Sequence, residues 1–225
     1  MESQCKTCVF KSQAVSKLTK EQIEQLSFNC ALANFGKGDS LIKQDMLSTN
    51  VAYLRSGLVM VHIRGPYHEQ IVRIVKSPSF LGLPTTIGEK INQYSVTVIE
   101  DAGVCFIDIA TFRYLMKENF DFANEIMIEL CRNELEVFHR CANRTQKQMR
   151  GRIADVLLEL ADRIYESDTF KIPLNQEEFG NLVDTSRESI SLVLSEFEKD
   201  RIIRYTKKQI EILNKKSLQM ISANG

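Results

Sequence analysis

The stretch NQEEFGNLVDTSRESISLVL, from Asn175 to Leu194, decides how this chain is read. Phe179, Leu182 and Val183 fall on one face of a helix, and Ile190, Val193, Leu194 and Phe197 repeat that pattern after a break. Apolar residues three and four apart share one side of a 3.6-residue helix. The break carries Asp184, a residue type that tolerates positive φ, followed by Ser186, a good N-cap. Two short helices over 174–183 and 186–199 with so tight a turn predict a helix-turn-helix. In that unit the exposed N-terminal face of the second helix enters the DNA major groove. Arg187, Glu188, Ser191 and Ser195 are the side chains that face outward. Arginine can bond O6 and N7 of guanine together, and glutamate can accept from cytosine N4. Arg187, Glu188 and Ser191 are therefore the candidate base contacts. Ser186 and Ser189 are candidate phosphate contacts, which position a protein without reading sequence. The competing reading is an αα-hairpin with a solvated charged face.

Working outward, Ile202-Ile203 and Ile210 to Leu213 predict a β-hairpin. Over 201–216 the basic residues are Arg201, Arg204, Lys207, Lys208, Lys215 and Lys216, against the single acid Glu211. Such a hairpin beside a reader helix forms a wing, with Lys207 and Lys208 as further phosphate contacts. Upstream, Ile153, Val156, Leu157, Leu160, Ile164 and Tyr165 predict an amphipathic helix, and Ile172 to Leu174 end an extended stretch. Thr111 is placed to cap a short helix running to Met116, and a long helix starts near Phe120. Along it Ala123, Met127, Leu130, Glu134, Val137 and Cys141 step by four and three, a heptad seam that is apolar except at Glu134. The seam predicts pairing with a second copy of the chain; packing on its own domain is the alternative.

Residues 31–110 read as many short strands punctuated by glycine and proline, which predicts a β-sandwich or barrel. Phe80 to Pro84 falls between two runs and reads as a short helix or turn. Before it, Thr19 and Gln22 form a capping-box pattern for a helix within 14–30. The division expected is 1–118, 119–147 and 148–225. Across the 225 residues, 44% are apolar, 26% are charged, and 29 basic residues balance 29 acidic ones. That composition excludes a disordered chain and a uniformly basic coating protein, but not a local basic face. No apolar run is long enough for a membrane span. The N-terminus has no secretory signal, so a reducing cytoplasm is the expected compartment and the six cysteines are expected as thiols. No Gly-rich phosphate loop, HExxH or GxSxG occurs, so an enzyme is not expected.

The chain resembles the CRP/FNR superfamily of bacterial transcription regulators. The residues that carry this are Phe35-Gly-Lys-Gly-Asp-Ser-Leu-Ile-Lys-Gln-Asp45, Tyr53-Leu-Arg-Ser-Gly57 and, above all, Gln176 to Ser191. The resemblance implies an α+β fold: a jelly-roll-like β-roll of the cyclic-nucleotide-binding kind, a long dimerisation helix, and a winged helix-turn-helix. It implies a homodimer that binds double-stranded DNA at half-sites about one helical turn apart and engages RNA polymerase. In the family the positions of Arg187, Glu188 and Leu192 read bases. Most relatives have arginine at the third, so Leu192 implies a half-site relaxed there.

The same resemblance frames the effector. The family's cyclic-nucleotide pocket has a Gly-Glu pair and then an Arg-Ser-Ala segment. Here Leu83 stands at the glutamate position, and no arginine occurs between Arg73 and Arg113. A phosphate without arginine loses a bidentate charge-assisted contact, so cyclic AMP is not expected. Phe80, Leu81, Gly82, Leu83, Tyr94 and Ser95 are the candidate effector pocket, which suits a less charged molecule. Two other effectors are open. An iron–sulfur cluster would draw on Cys5, Cys8, Cys30 and Cys105, since ligation normally needs four thiolates. Haem would need His62, His68, His139, a methionine or a cysteine. A scaffold module that no longer reads DNA is the rival from another class.

Overall fold

The computed structural model describes residues 8–225, which divide into two compact units. One takes in residues up to Glu136 apart from 67–71; the remainder form the second. The N-terminal unit opens with α1 (Gln13–Ser16) and α2 (Lys20–Phe28). The capping box at Thr19 forms as expected: its hydroxyl accepts from the Gln22 N–H at 3.3 Å, and Gln22 Oε1 accepts from the Thr19 N–H at 3.0 Å. An antiparallel sheet follows, made of β1 (Cys30–Phe35), β2 (Ser40–Ile42), β3 (Asn50–Arg64), β4 (Glu69–Lys76), β5 (Ser79–Leu81) and β6 (Ser95–Asp108). Its order is β1-β6-β3-β4, with β2 on β6 and β5 on β3.

The runs at 51–54 and 58–63 are one strand, β3, which continues through Gly57. Gly57 has φ +92°, and a Cβ there would lie 2.3 Å from the Asp101 carbonyl oxygen. Register slips between Leu54 and Val59 at this point. Glycine here lets β3 and β6 close on each other through a bulge and bend, which is how a flat pair becomes a roll. Successive residues of β3 serve opposite faces. Ala52 and Leu54 join Val59, Val61, Val96, Val98 and Val104 inside the roll. Val51 and Tyr53 join Phe80, Cys105, Phe112, Leu115 and Phe122 in a second cluster that also takes Val15 and Leu26 from the first helices.

Two local expectations need correcting. Residues 79–81 are a strand, paired with β3, and the helical turn lies later at Pro84–Gly88. The helix α3 (Ile109–Glu118) is capped by Asp108, whose carboxylate accepts from the Thr111 N–H at 2.9 Å, and not by Thr111. Thr111 lies inside the helix and is buried. The long helix α4 spans Phe120–Gln146.

The C-terminal unit holds α5 (Met149–Glu159), a wider helical turn over Leu160–Ile164, β7 (Thr169–Lys171), α6 (Gln176–Val183), α7 (Arg187–Lys199), β8 (Ile203–Thr206), β9 (Gln209–Ile212) and α8 (Lys215–Asn224). The hairpin is the β8–β9 pair, and β7 adds a third strand to it in the order β7-β9-β8. Sequence reading did not find α8, because Leu218 is the one fully buried apolar side chain of its ten residues.

Candidate nucleic-acid interface and effector region

The reader begins with a cap. Asn175 accepts from the Glu178 N–H at 2.9 Å, and Glu178 accepts in return from the Asn175 N–H at 2.7 Å. This capping box starts α6 and went unnoticed in the sequence. Asp184 ends the helix in the left-handed region, at φ 58° and ψ 60°. Gly180 lets the turn come close: a Cβ there would sit 2.5 Å from the Thr185 carbonyl oxygen, and the Thr185 N–H donates to the Gly180 carbonyl at 3.0 Å. Ser186 then caps α7 by accepting from the Ser189 N–H at 3.2 Å. Ile190, Val193, Leu194 and Phe197 are buried on the inner side of α7. Arg187 and Glu188 are exposed at its N-terminal end, and Ser191 is half-buried beside them.

The Arg187 Nε donates to Gln176 Oε1 at 3.0 Å. That bond uses Nε and not the terminal nitrogens of the guanidinium. Glu188 is held below the usual carboxylate range, first by its own backbone N–H and then by the Ser186 hydroxyl, so it is an acceptor at neutral pH. The Ser186 hydroxyl also bonds Ser189 Oγ at 3.1 Å, so the two phosphate candidates touch each other. The wing turns at Lys207 and Lys208, whose φ values are +49° and +72°. Positive φ at both central residues is the hairpin geometry that usually calls for Asn-Gly. Side chains with a Cβ pay about 1–2 kcal/mol per residue for it. Two lysines are thus placed, exposed, at the wing tip. The basic run is partly neutralised: Arg204 pairs with Glu211, and Lys215 bonds Asp168 at 2.7 Å and Asp162 at 2.5 Å.

The effector candidates divide between two faces. Leu81 belongs to the cluster inside the roll and half-buried Tyr94 packs against it, whereas Phe80 and Leu83 belong to the outer cluster under the helices. Gly82 has φ +79°, and the Ser95 hydroxyl accepts from the Gln44 N–H at 3.0 Å. Burial raises the Tyr94 phenol, against the opposing influence of Arg73 and hydrogen bonds with Thr85 and the Gly82 backbone. Thr85 in turn donates to Gly82 O at 3.0 Å and lies 3.2 Å from Asn92 Oδ1. The region is therefore knitted by neutral groups. Two arginines, Arg73 and Arg113, flank it. Arg73 reaches from β4 to donate to Asn133 Oδ1 at 2.7 Å, and Arg113 donates to the Ile87 carbonyl at 3.3 Å.

Cys8, Cys30 and Cys105 line one pocket, with Tyr53, Phe80 and Val15. Cys30 pairs with Ile107 and Cys105 with Leu32, so the two thiols are diagonal neighbours on one face of β1 and β6. The Tyr53 hydroxyl donates to the Phe10 carbonyl at 2.6 Å across this pocket. Among the described residues no three His, Cys, Asp or Glu side chains converge enough to hold a metal ion. Cys5 lies outside the described residues. Of the haem candidates, His62 is buried with its Nε2 2.8 Å from Thr97 Oγ1. His68 and His139 are exposed.

Along α4, Met127, Val137 and Cys141 of the expected seam are exposed, while Ala123 and Leu130 are half-buried and Leu130 packs on the outer cluster of the roll. Leu135 and Phe138, 57% and 59% exposed, extend the uncovered apolar side beyond that seam. No helix among the described residues is long and apolar enough to cross a membrane.

Comparison with known proteins agrees with this architecture. The model of the cyclic nucleotide-binding domain matches residues 32–119, and that of the Crp-like helix-turn-helix domain matches 151–221. The cAMP-activated global transcriptional regulator CRP of Escherichia coli is 25% identical over 191 residues, covering 82% of this chain and 90% of that protein. The transcriptional activator protein FnrA of Stutzerimonas stutzeri is 24% identical over 193 residues, covering 79% and 75%. A crystal structure of a Crp/Fnr-family regulator from Eubacterium rectale superposes with a TM-score of 0.80 at 19% identity, covering 95% of this chain and 99% of that one. With a cyclic-nucleotide-binding roll, a long helix and a Crp-like reader in the same order, the chain belongs to the CRP/FNR superfamily of transcription regulators.

Proposed function

We propose that the chain acts as a homodimer that reads DNA through Arg187, Glu188 and Ser191 and holds phosphates with Ser186, Ser189, Lys207 and Lys208. The observation that carries this is the exposed, capped start of α7, with Arg187 steadied by Gln176 and a strained lysine turn on the neighbouring wing. Residues 1–118 serve as sensor, 119–147 as dimer helix and 148–225 as reader. The dimer closes over the apolar side of α4, from Met127 to Cys141, and sets two reader helices at successive half-sites where the regulator meets RNA polymerase. The effector is not cyclic AMP: Leu83 offers the ribose nothing, and Arg73 and Arg113 are both engaged by protein groups. Binding to promoter DNA should weaken linearly in log affinity against log salt. Arg187→Ala and Glu188→Ala should each relax the preference at the base position that residue contacts, while leaving salt-dependent binding. Unchanged preference at every position in both variants would remove the assignment.

A second reading of the sensor is favoured by one observation, the gathering of Cys8, Cys30 and Cys105 at one pocket. An iron–sulfur redox regulator needs four thiolates. Cys8, Cys30 and Cys105 line the pocket without converging into a metal site, so this reading requires them to draw together around a cluster with a fourth ligand, for which Cys5 of the same CxxC is the candidate. Iron and sulfide analysis of protein purified without oxygen tests it. Stoichiometric iron and sulfide that are lost in Cys105→Ser support this reading, and their absence from the parent chain removes it.

A further inference from the structure

Leu192 lies four residues beyond Glu188 on α7, on the side turned away from buried Ile190, Val193 and Leu194. It is 59% exposed. A lone exposed leucine is common on protein surfaces and carries nothing by itself. Its place on this helix does. Residues four apart are neighbours on one helix face, about 6 Å along the axis. That rise spans roughly two base-pair steps of 3.4 Å. A helix seated deeply enough for Glu188 to touch a base edge therefore brings Leu192 to a base edge as well.

Leucine neither donates nor accepts. The major groove shows one apolar group, the 5-methyl of thymine. A polar base edge pressed against leucine loses its water and gains no partner, so other bases are penalised. The next side chain along the stripe does not compete, because the Ser195 hydroxyl donates back to the Ser191 carbonyl at 2.9 Å. We propose that Leu192 reads the methyl group of a thymine in the major groove, one or two base pairs from the base read by Glu188. The position is thus selective, and not relaxed. This inference rests on the assignment of α7 as the DNA reader.

The test uses the full chain and a duplex library with a randomised half-site. Parent and Leu192→Arg selections are compared to find the position that responds to residue 192. In the parent-selected duplex that thymine is then replaced by uracil, which removes only the methyl. Affinity should fall about fourfold, the factor for one methyl buried at ~0.8 kcal/mol. In Leu192→Ala the thymine–uracil difference should vanish with the salt slope unchanged, since no phosphate contact is lost. Leu192→Arg should move the preference to guanine. Equal affinity for thymine and uracil, or a selection indifferent to Leu192→Arg, overturns the inference while Arg187-dependent selection keeps the reader assignment standing. No sequence selection by the parent chain at any salt overturns both.

Discussion

Gly180→Ala tests the geometry on which the reader depends. The added Cβ would lie 2.5 Å from the Thr185 carbonyl oxygen, whereas ordinary contacts begin near 3.4 Å. The turn must therefore open by about 0.9 Å, and forced overpacking of this kind costs ~1–3 kcal/mol. The atom in the way is backbone, so no side-chain rotation relieves it. Opening the turn also stretches the 3.0 Å bond from the Thr185 N–H to the Gly180 carbonyl and tilts the start of α7, where Arg187 and Glu188 sit. A good bidentate base contact is worth ~1–3 kcal/mol, so specific affinity should drop about tenfold or more. Gly88→Ala is the control, because a Cβ there meets nothing within 4 Å. Urea unfolding and DNA-binding anisotropy on the same samples give both quantities. The control should match the parent within about 0.5 kcal/mol. A Gly180→Ala protein with an unchanged midpoint and unchanged affinity would show that α6 and the turn are not in the contact described, and the reasoning would fail.

The remaining predictions concern the N-terminal unit and the dimer. Burial is the main influence on Glu129 and raises its carboxyl above the ordinary range, with the Phe80 N–H, Arg73 and Arg132 pulling it back in part. The folded state then holds that proton more tightly than the unfolded one, so this group's contribution turns against folding as pH rises from the ordinary carboxylate range through the raised value. Glu129→Gln should therefore gain stability over the parent at about pH 7.5 relative to about pH 4; the same difference at both pH values in urea unfolding would contradict this. On α4, the double variant Leu135→Glu and Phe138→Glu places two charges on side chains already exposed in the single chain. It should fold as the parent does but sediment as a monomer and lose cooperative binding to two half-sites. A dimer that persists would mean that another surface holds the copies together.

The sequence by itself determined the reader. Its two helices are short, amphipathic and locally capped, so Asp184, Ser186 and the apolar residues three and four apart specify the motif through contacts only a few residues apart. The cap at Thr19 was legible for the same reason. The seam on α4 was legible as a pattern, but which of its residues face outward depends on where the roll lies, and Leu130 is drawn to the roll. Tertiary structure alone decided the rest. Gly57 reads as punctuation, yet in place it bends one continuous strand, because the close approach of Asp101 lies 44 residues away in the chain. Phe80 and Leu81 are neighbours in sequence and serve opposite faces, since a strand sends successive side chains to opposite sides. The gathering of Cys8, Cys30 and Cys105 follows from pairing β1 with β6 and laying the N-terminal segment across them, long-range contacts that no local spacing encodes.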